Sequence, residues 1–397
     1  MSPGYRRGSR AYRRVTIALF LAGFSTFSLL YCVQPLLPLF AAHFGVGPAE
    51  SSLSLSLSTG FLAIAIFGAA ALSERLGRRQ LMFGSMAAAA ILNIAVAVAP
   101  HWPVLIVLRA LEGFVLGGVP AVAMAYLAEE IDPRGLGGAM GLYISGTAFG
   151  GMTGRVVTGI LADAVSWQVA LATVGTAGLA AAAGFIALLP PSRNFTPRPG
   201  FSLHYHLAAW SDHLANPALR LLFAIGFLTM GAFVAIYNYA GFRLVAPPYN
   251  LDQSAIGLIF TAYLFGIVAS SVAGGLADRL GRRAVLPVGI MTTTAGVCLT
   301  LGDGLASIIA GIAVVTFGFF ATHSVASGWI GRIAVDAKGH ASSLYLLAYY
   351  VGSSVVGSAG GWFWAEGGWP AVVGFTSALF GLALVAALRL RRISPAD

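Results

Sequence analysis

Three charged residues interrupt long apolar stretches of the sequence and are the first candidates for chemistry. Arg109 and Glu112 stand three residues apart in one stretch, and Arg155 stands in the next. An unpaired ion inside hydrocarbon is costly, so charges in such segments usually have a function. At about 1.5 Å per helical residue, Glu112 and Arg155 lie at the same depth of adjacent antiparallel helices, which predicts an ion pair between them. Arg109 shares a helix face with Glu112 and competes for it.

A carboxylate between two arginines can exchange its charge for that of a proton or a solute, which makes Glu112 a candidate switch. The alternative is a structural ion pair whose protonation never changes. His323, in another apolar stretch, can titrate near neutral pH, or it can serve only as a hydrogen-bonded side chain in a helical bundle.

The composition places these charges in a membrane. Of the 397 residues, 58% are hydrophobic and only 9% are charged, whereas soluble domains average roughly 25% charged residues. The net charge of +9 suggests nucleic-acid binding, but so apolar a chain excludes it. Cys32 and Cys298 lie far apart in apolar runs, which predicts neither a disulfide framework nor a metal site. The sequence also has no arrangement typical of catalysis or phosphate binding, so an enzyme is not expected.

Twelve stretches are long enough to cross a bilayer as helices, at about 20 apolar residues per crossing. The first six cover residues 15–40, 51–72, 80–99, 103–127, 138–163 and 166–189. The second six cover residues 217–244, 254–276, 284–301, 304–331, 340–364 and 369–389. The longest connection contains four prolines and three histidines. We therefore expect an all-α membrane protein with two six-helix bundles, residues 1–190 and 217–397, and a cytoplasmic linker over 191–216.

Basic residues are confined to alternate connections between the spans. All but three of the 23 Lys and Arg residues lie in the termini or in every second loop, and the other loops contain none. The three exceptions are Arg109, Arg155 and Arg243. Because basic loops remain on the cytoplasmic side, both termini are predicted to be cytoplasmic.

The two halves of the sequence repeat one another. Residues 72–79 (LSERLGRR) recur as residues 276–283 (LADRLGRR), and Gly150 and Trp167 are matched by Gly352 and Trp369. Equal topology in both halves predicts parallel repeats related by an axis along the membrane normal. Such repeats enclose a pathway in which a solute meets one face of the membrane at a time.

The repeated loop carries charges that can form a cytoplasmic gate. Glu74 with Arg78, and Asp278 with Arg282, have the i, i+4 spacing of a local ion pair. Further acidic partners for the arginines of the first copy follow the fourth span: Glu129, Glu130 and Asp132. The alternative is that the arginines only orient the loops. The candidate gate residues are Glu74, Arg75, Arg78, Arg79, Glu129, Glu130, Asp278, Arg279, Arg282 and Arg283.

Polar residues in the first and seventh spans are candidates for lining a substrate cavity. Pro35 and Pro38 break the first span and can free backbone groups to face a water-filled path. The candidates are Tyr31, Gln34, Tyr237, Asn238 and Tyr239.

Together these motifs resemble the major facilitator superfamily over essentially the whole chain. Residues 274–283 (GGLADRLGRR) are similar to the family's hallmark loop, whereas the first copy has Ala70 and Glu74 in place of Gly and Asp. Residues 31–38 and 237–244 resemble a bacterial branch linked to arabinose or drug efflux. The span around Arg109, Glu112 and Gly113 resembles a motif whose buried arginine is linked to proton transfer. The fifth-span glycines resemble the antiporter motif, with Arg155 in place of its proline: Gly141, Gly150, Gly154 and Gly159.

The resemblance implies a secondary active transporter of the bacterial inner membrane that works by alternating access. It favours proton-coupled efflux of a drug-like or sugar-like compound. The alternatives are proton-coupled uptake of a small metabolite and a channel. The glycines of the fifth span can also serve helix packing alone. The expected partners are a small-molecule substrate, protons and the lipid bilayer, without nucleic acid. The expected energy source is the proton gradient, without a cofactor, and the expected state is a monomer.

Overall fold

The structure, a computed structural model, describes residues 4–195 and 203–393. Helices make up nearly all of this part of the chain. No β-strand occurs among the described residues, and the one strand-like feature there is an isolated bridge between Tyr5 and Ile131.

The helices follow one another with short connections. The first nine are α1 (Arg10–Tyr31), α2 (Leu37–Phe44), α3 (Pro48–Ser51), α4 (Leu53–Leu76), α5 (Arg78–Ala97), α6 (Trp102–Leu116), α7 (Pro120–Glu130), α8 (Pro133–Ala164) and α9 (Trp167–Leu188). The others are α10 (Leu203–Ala215), α11 (Pro217–Val245), α12 (Gln253–Ile259), α13 (Tyr263–Leu280), α14 (Arg282–Leu299), α15 (Leu305–Ile333) and α16 (Lys338–Ile393). Short 3-10 turns at Gln34–Leu36 and Phe260–Ala262 link α1 to α2 and α12 to α13. Helix α16 is two helices in sequence, because Gly367 and Gly368 have non-helical backbone angles.

The predicted all-helical membrane fold is confirmed. Each of the twelve predicted stretches contains one helix, two consecutive helices or one part of α16. Within the described residues, eight helices or helix pairs are long and apolar enough to cross a membrane, with α16 counted once. The number of crossings and the side on which the termini lie stay predictions. The linker differs from expectation, because it contains the helix α10.

Local sequence explains where the helices begin and turn. The side chains of Ser9, Ser166 and Asn216 accept hydrogen bonds from backbone N–H groups in the first turns of α1, α9 and α11, which are groups that have no partner inside a helix. Gly77 and Gly281 each have a φ of +83° between two helices. Glycine adopts this conformation without a steric penalty, so the chain reverses tightly at the same place in both repeats.

The described residues form two compact units. The first comprises residues 4–36, 57–195 and 252–258, and the second comprises residues 37–56, 203–251 and 259–393. Two short segments therefore pack in the unit that is built mainly from the other half of the sequence. The bundle boundaries predicted from the sequence stay a prediction.

The same helix contact is found within each unit. In the first unit α1 packs on α8, and a Cβ on Gly150 would lie 2.1 Å from the carbonyl oxygen of Phe24. In the second unit α11 packs on α16, and a Cβ on Gly352 would lie 2.2 Å from the carbonyl oxygen of Phe227. Glycine lets two helix backbones approach this closely. The sequence repeat is thus also a repeat of helix packing.

Candidate functional site

An ion pair between Arg109 and Glu112 is enclosed in the first unit. Both side chains lie on α6 and are fully buried, with 2.6 Å between Arg109 Nη1 and Glu112 Oε2. The predicted ion pair between Glu112 and Arg155 is wrong. Glu112 instead contacts the arginine one turn earlier on its own helix, the competitor that the spacing had indicated.

Arg109 is anchored by the end of α1. Its Nη1 donates to the carbonyl oxygen of Leu29 at 3.1 Å, and its Nη2 donates to that of Leu30 at 2.7 Å. The last carbonyl groups of a helix have no partner within that helix. The break after Tyr31 therefore supplies acceptors that hold the guanidinium in place.

Glu112 has one engaged oxygen and one open oxygen. Its Oε2 accepts from Arg109, whereas its Oε1 is buried and has no hydrogen-bond partner in the described part of the chain. A buried polar atom without a partner is uncommon and calls for an explanation. A proton can be added at Oε1 without breaking the contact with Arg109.

Arg155 forms a second buried group with Tyr31 and Gln34. Its Nε donates to Gln34 Oε1 at 2.7 Å, its Nη1 donates to the carbonyl oxygen of Gly151 at 2.8 Å, and its Cζ lies 4.1 Å from the centre of the Tyr31 ring. A guanidinium above an aromatic face is attracted by the ring quadrupole. Arg155 does not pair with Glu112 although the two were predicted at equal depth, because the face of α8 that carries Arg155 lies against α1.

The second unit holds a separate polar and aromatic cluster. The hydroxyl of Tyr237 lies 2.7 Å from Thr316 Oγ1, and His323 Nδ1 lies 2.9 Å from the Tyr345 hydroxyl. The ring of Phe319 stacks on that of His323. Sequence reasoning missed Thr316, Phe319 and Tyr345, although Tyr345 and Phe319 lie at helical spacings from other aromatic residues.

The three neighbouring candidates in α11 do not share one environment. Tyr237 contacts α15, whereas the Tyr239 hydroxyl donates to the carbonyl oxygen of Ser358 on α16 at 2.9 Å. Asn238 between them is buried. Successive residues of a helix point about 100° apart, so they cannot face one cavity together.

In the first copy of the candidate gate, Arg78 binds Glu129. Both Nε and Nη2 of Arg78 donate to the two carboxylate oxygens of Glu129, and its Nη1 donates to Ser73 Oγ at 3.1 Å. The predicted pair of Glu74 with Arg78 is not formed, because Arg78 is already engaged by Glu129. Two parallel hydrogen bonds fix the geometry of an arginine–carboxylate pair.

The Glu130 carboxylate accepts hydrogen bonds from backbone N–H groups instead of pairing with an arginine side chain. Its Oε1 accepts from the backbone N–H groups of Arg193 at 2.6 Å and Asn194 at 2.8 Å, at the start of the linker. Its carbonyl oxygen accepts from the Tyr5 N–H at 2.7 Å. Burial raises the pKa of the Tyr5 phenol here. The expected pairing of Glu130 with an arginine of the candidate gate is therefore wrong. Arg79, one of those arginines, instead donates to the carbonyl oxygen of Ile186.

In the corresponding loop of the second unit, Asp278 contacts two arginines. Arg282 Nη2 lies 3.1 Å from Asp278 Oδ1, which confirms the predicted i, i+4 pair. Arg332, at the end of α15, lies 3.4 Å from the same oxygen. Arg332 was missed, although it matches Glu130 in the repeat. Among the other gate candidates, Arg75 and Arg279 are exposed and Arg283 is half-buried.

The fifth-span glycines have different roles. Gly150 and Gly154 each lie against α1, where a Cβ on Gly154 would be 2.7 Å from the Ser28 carbonyl oxygen. Gly159 lies against the segment around Gly257, which belongs to the same unit. Gly141 faces open space, so no close contact requires glycine there.

In the described residues, no group of three or more His, Cys, Asp or Glu side chains is arranged to hold a metal ion.

Comparison with known proteins decides the family. The Major Facilitator Superfamily model matches residues 19–246 and 228–397. The chain belongs to the Major Facilitator Superfamily. It is 46% identical to the MFS-type transporter YybF of Bacillus subtilis over 96% of this chain and 94% of YybF. It is 44% identical to the inner membrane transport protein YnfM of Escherichia coli over 98% of this chain and 93% of YnfM.

Solved structures agree on the fold. A bacterial homologue of the human lysosomal transporter Spinster, crystallised in an inward-facing conformation, matches with a TM-score of 0.80. The match covers 98% of this chain and all of that one, at 15% sequence identity. The superfamily member described here is therefore a multi-pass transporter of the bacterial inner membrane, with a small-molecule substrate and a lipid surround. Its family consists of transporters and not of enzymes.

Proposed function

We propose that the chain exports a small organic solute in exchange for protons, by alternating access. The observation that carries this proposal is the buried Glu112 carboxylate, which has Arg109 on one oxygen and, within residues 4–195 and 203–393, no hydrogen-bond partner on the other. Intramembrane carboxylates that can change charge are typical of proton pathways in transporters.

The environment of Glu112 supports coupling. Burial separates the charges of Glu112 and Arg109 from water, so removing one partner's charge is expensive unless another group compensates. Arg109 is held by the carbonyl oxygens of Leu29 and Leu30. These dipoles can keep the arginine in place while Glu112 is neutral. A change of protonation can therefore alter the local charge without releasing the helix contact.

The candidate substrate-binding side chains of each unit suit a drug-like or sugar-like solute. Tyr31 and Gln34 in the first unit, and Tyr237 and His323 in the second, offer aromatic faces and hydrogen-bonding groups. Aromatic faces bind apolar rings and cations, and the polar tips suit hydroxyl groups. In this proposal the monomer works without a cofactor and takes its energy from the transmembrane proton gradient.

The test is solute-driven proton movement in liposomes that contain the purified protein and the pH dye pyranine. Ethidium, tetraphenylphosphonium and arabinose are added outside, one at a time. An antiporter would expel protons as solute enters, so the lumen would become alkaline. Acidification of the lumen would indicate uptake by symport, and solute entry without a pH change would indicate a channel. Either result would overturn the proposed exchange.

A further inference from the structure

The linker helix α10 is held against the start of α16 by a pair of histidines. His206 Nδ1 lies 2.8 Å from His340 Nε2, and the centroids of the two rings are 5.1 Å apart. Trp210, one turn after His206, packs against both imidazoles, with ring centroids 6.0 Å and 5.8 Å away. Both helices belong to the second unit. We call this group the histidine clasp (His206, Trp210 and His340).

A second histidine of α10 contacts the same end of α16. The buried His213 has its Nε2 3.2 Å from the carbonyl oxygen of Ala337, which directly precedes α16. His206 and His213 are two helical turns apart and therefore lie on one face of α10. The buried Ala209 lies between them on that face. Helix α10 thus docks through a face that carries two imidazoles.

The two histidine contacts respond differently to protonation. A hydrogen bond between two imidazole nitrogens needs one N–H and one lone pair, so His206 and His340 keep it when the pair gains one proton. A second proton makes both facing nitrogens donors and removes the bond. The contact of His213 with a carbonyl oxygen needs only an N–H, so it survives protonation. The clasp is therefore the acid-sensitive part of the interface.

The surroundings of the clasp disfavour a second positive charge. His340 lies in the first turn of α16, where the positive end of the helix dipole repels a cation. Lys338 in the same turn adds positive charge, as does His213 when it is protonated. The carboxylates of Asp212 on α10 and Asp336 before α16 are exposed to water. The other charged side chains at the neighbouring helix ends are also exposed: Arg220 on α11 and Arg332 on α15.

Only the histidines in this region change charge near neutral pH. Aspartate, lysine and arginine side chains keep their charge between about pH 5.5 and pH 7.5. Protons can reach the interface through a cavity of about 580 Å³ beside the clasp, whose lining includes Asp212, His213 and Asp336. In the predicted orientation this end of the second unit is cytoplasmic, because the connection before α16 contains basic residues.

Helix α10 connects the starts of two helices that carry the polar cluster of the second unit. It leads through Asn216 into α11, and the clasp holds it on α16. Helix α11 carries Tyr237, and α16 carries Tyr345, whose hydroxyl contacts His323. Tyr345 lies only five residues after the clasp residue of α16. Release of α10 therefore frees the end of α16 next to this cluster.

We propose that the histidine clasp is a sensor of cytoplasmic pH, which docks α10 at neutral pH, releases it in acid and thereby slows transport. Its physical basis is the contact between two imidazoles, the positive helix end at His340 and the cavity beside the interface. An exchanger that brings protons into the cytoplasm would thus be slowed by the acid that accumulates there. The effect on transport rests on the proposed exchange, whereas the docking of α10 does not.

The pH dependence follows from the number of protons that each state binds. Free histidines take up protons below about pH 6.5, whereas the docked pair keeps its hydrogen bond with at most one added proton. The released helix therefore binds one proton more than the docked helix. Docking should weaken by up to about tenfold for each pH unit below pH 6.5.

Cysteine labelling measures docking without a substrate. In a parent protein with Cys32→Ser and Cys298→Ser, Ala209→Cys reports the docked face, and Ala215→Cys reports an exposed position of the same helix. The two rates of reaction with N-ethylmaleimide are divided, which cancels the pH dependence of the thiol chemistry. The ratio for Ala209→Cys over Ala215→Cys should rise about fivefold or more from pH 7.5 to pH 5.5.

Two glutamine variants and a matched control test whether the clasp causes this rise. In His206→Gln the amide oxygen accepts from a protonated His340, and in His340→Gln it accepts from a protonated His206, so the ratio should stay low and constant. His213→Gln changes the neighbouring histidine, whose contact does not depend on pH, and should keep the rise. A rise in His206→Gln and His340→Gln equal to that of the parent, or no rise in the parent, would overturn the clasp.

Solute exchange tests the effect on transport. Liposomes with the same pH on both sides exchange internal for external radiolabelled tetraphenylphosphonium or arabinose at pH 7.5 and pH 5.5. Acid should slow the wild-type protein by about fivefold or more relative to His206→Gln. Glu112 is present in both proteins, so the difference between them reports the clasp. Equal pH dependence of the two proteins would overturn the regulation of transport.

The two measurements separate the clasp from the exchange reaction. If the labelling ratio rises as expected but no compound is exchanged, the acid-released clasp stands and the proposed exchange fails. If compounds are exchanged but the labelling ratio does not change with pH, the exchange stands and the clasp fails.

Discussion

At the residue scale, three buried or half-buried arginines are held by different kinds of partner. Arg109 has a carboxylate and two carbonyls, Arg155 has an amide and an aromatic face, and Arg78 has a two-point carboxylate. These partners differ in whether they can change charge. Glu112 is fully buried in α6, whereas Glu129, at the end of α7, is partly exposed. We therefore propose Glu112 for coupling, and Glu129 stays a predicted gate residue.

The contact between Arg78 and Glu129 gives a prediction at this scale. Arg78→Ala should lower stability by about 1–2 kcal/mol, because it removes two charge-assisted hydrogen bonds from a partly buried carboxylate. Thermal unfolding in detergent measures the effect. The matched control is Arg75→Ala in the same loop, an exposed residue that should change stability by less than about 0.5 kcal/mol. Equal effects of the two substitutions would refute the role of the pair.

Arg155 gives a second prediction. Arg155→Lys keeps the charge but cannot reproduce the planar contact with Tyr31 together with the hydrogen bond to Gln34. We expect a loss of about 1–3 kcal/mol in unfolding free energy, since a buried acceptor also loses its partner. If a thermal unfolding scan gave the same midpoint as the wild type, the guanidinium geometry would have no role in stability.

At the element scale, helix packing depends on glycines at particular positions of α8. Gly150 lies against the backbone of α1, whereas Gly141 on the same helix meets no atom within contact distance of a Cβ. The glycine pattern in the sequence could not separate these cases, because it does not show which helix face meets a neighbour. The same limit explains why Gly146, which also lies against α1, was missed.

Two alanine substitutions in α8 test this distinction. Gly150→Ala should destabilise the protein by about 1–3 kcal/mol, because the added methyl group overlaps a backbone oxygen of α1. Gly141→Ala should be neutral or stabilising by up to about 1 kcal/mol, because alanine favours helices. Melting temperatures in detergent compare the two variants. A Gly150→Ala protein as stable as Gly141→Ala would contradict the close helix contact.

At the scale of the whole molecule, apolar length and charge placement predicted much of the architecture. They indicated the helical stretches and the repeat, because these depend on local sequence. They did not predict the partner of Glu112, because the depth of a residue along a helix does not determine the direction in which its side chain points. They also did not predict the hydrogen bond from the backbone N–H of Arg193, in the linker, to the Glu130 carboxylate, because contacts to the backbone leave no pattern in the sequence. Helix α10 was missed among the prolines and histidines of the linker.

The charge distribution predicts the orientation of the whole chain. Green fluorescent protein fused after residue 397 should fluoresce, and alkaline phosphatase fused there should be inactive, because both termini are expected in the cytoplasm. Phosphatase fused after His101, in a connection without Lys or Arg, should be active. The reverse pattern of activities would overturn the predicted topology.

The central claim is that Glu112 carries the coupled proton, and its neutral variant tests this directly. Glu112→Gln should abolish solute-driven alkalinisation of pyranine-loaded liposomes but retain exchange of solute for solute, since the amide resembles a permanently protonated acid. Glu366→Gln, which changes an exposed carboxylate, should leave both activities intact. The account predicts loss of proton movement in Glu112→Gln alone. Proton movement by Glu112→Gln at the wild-type rate and with the wild-type pH dependence would contradict it.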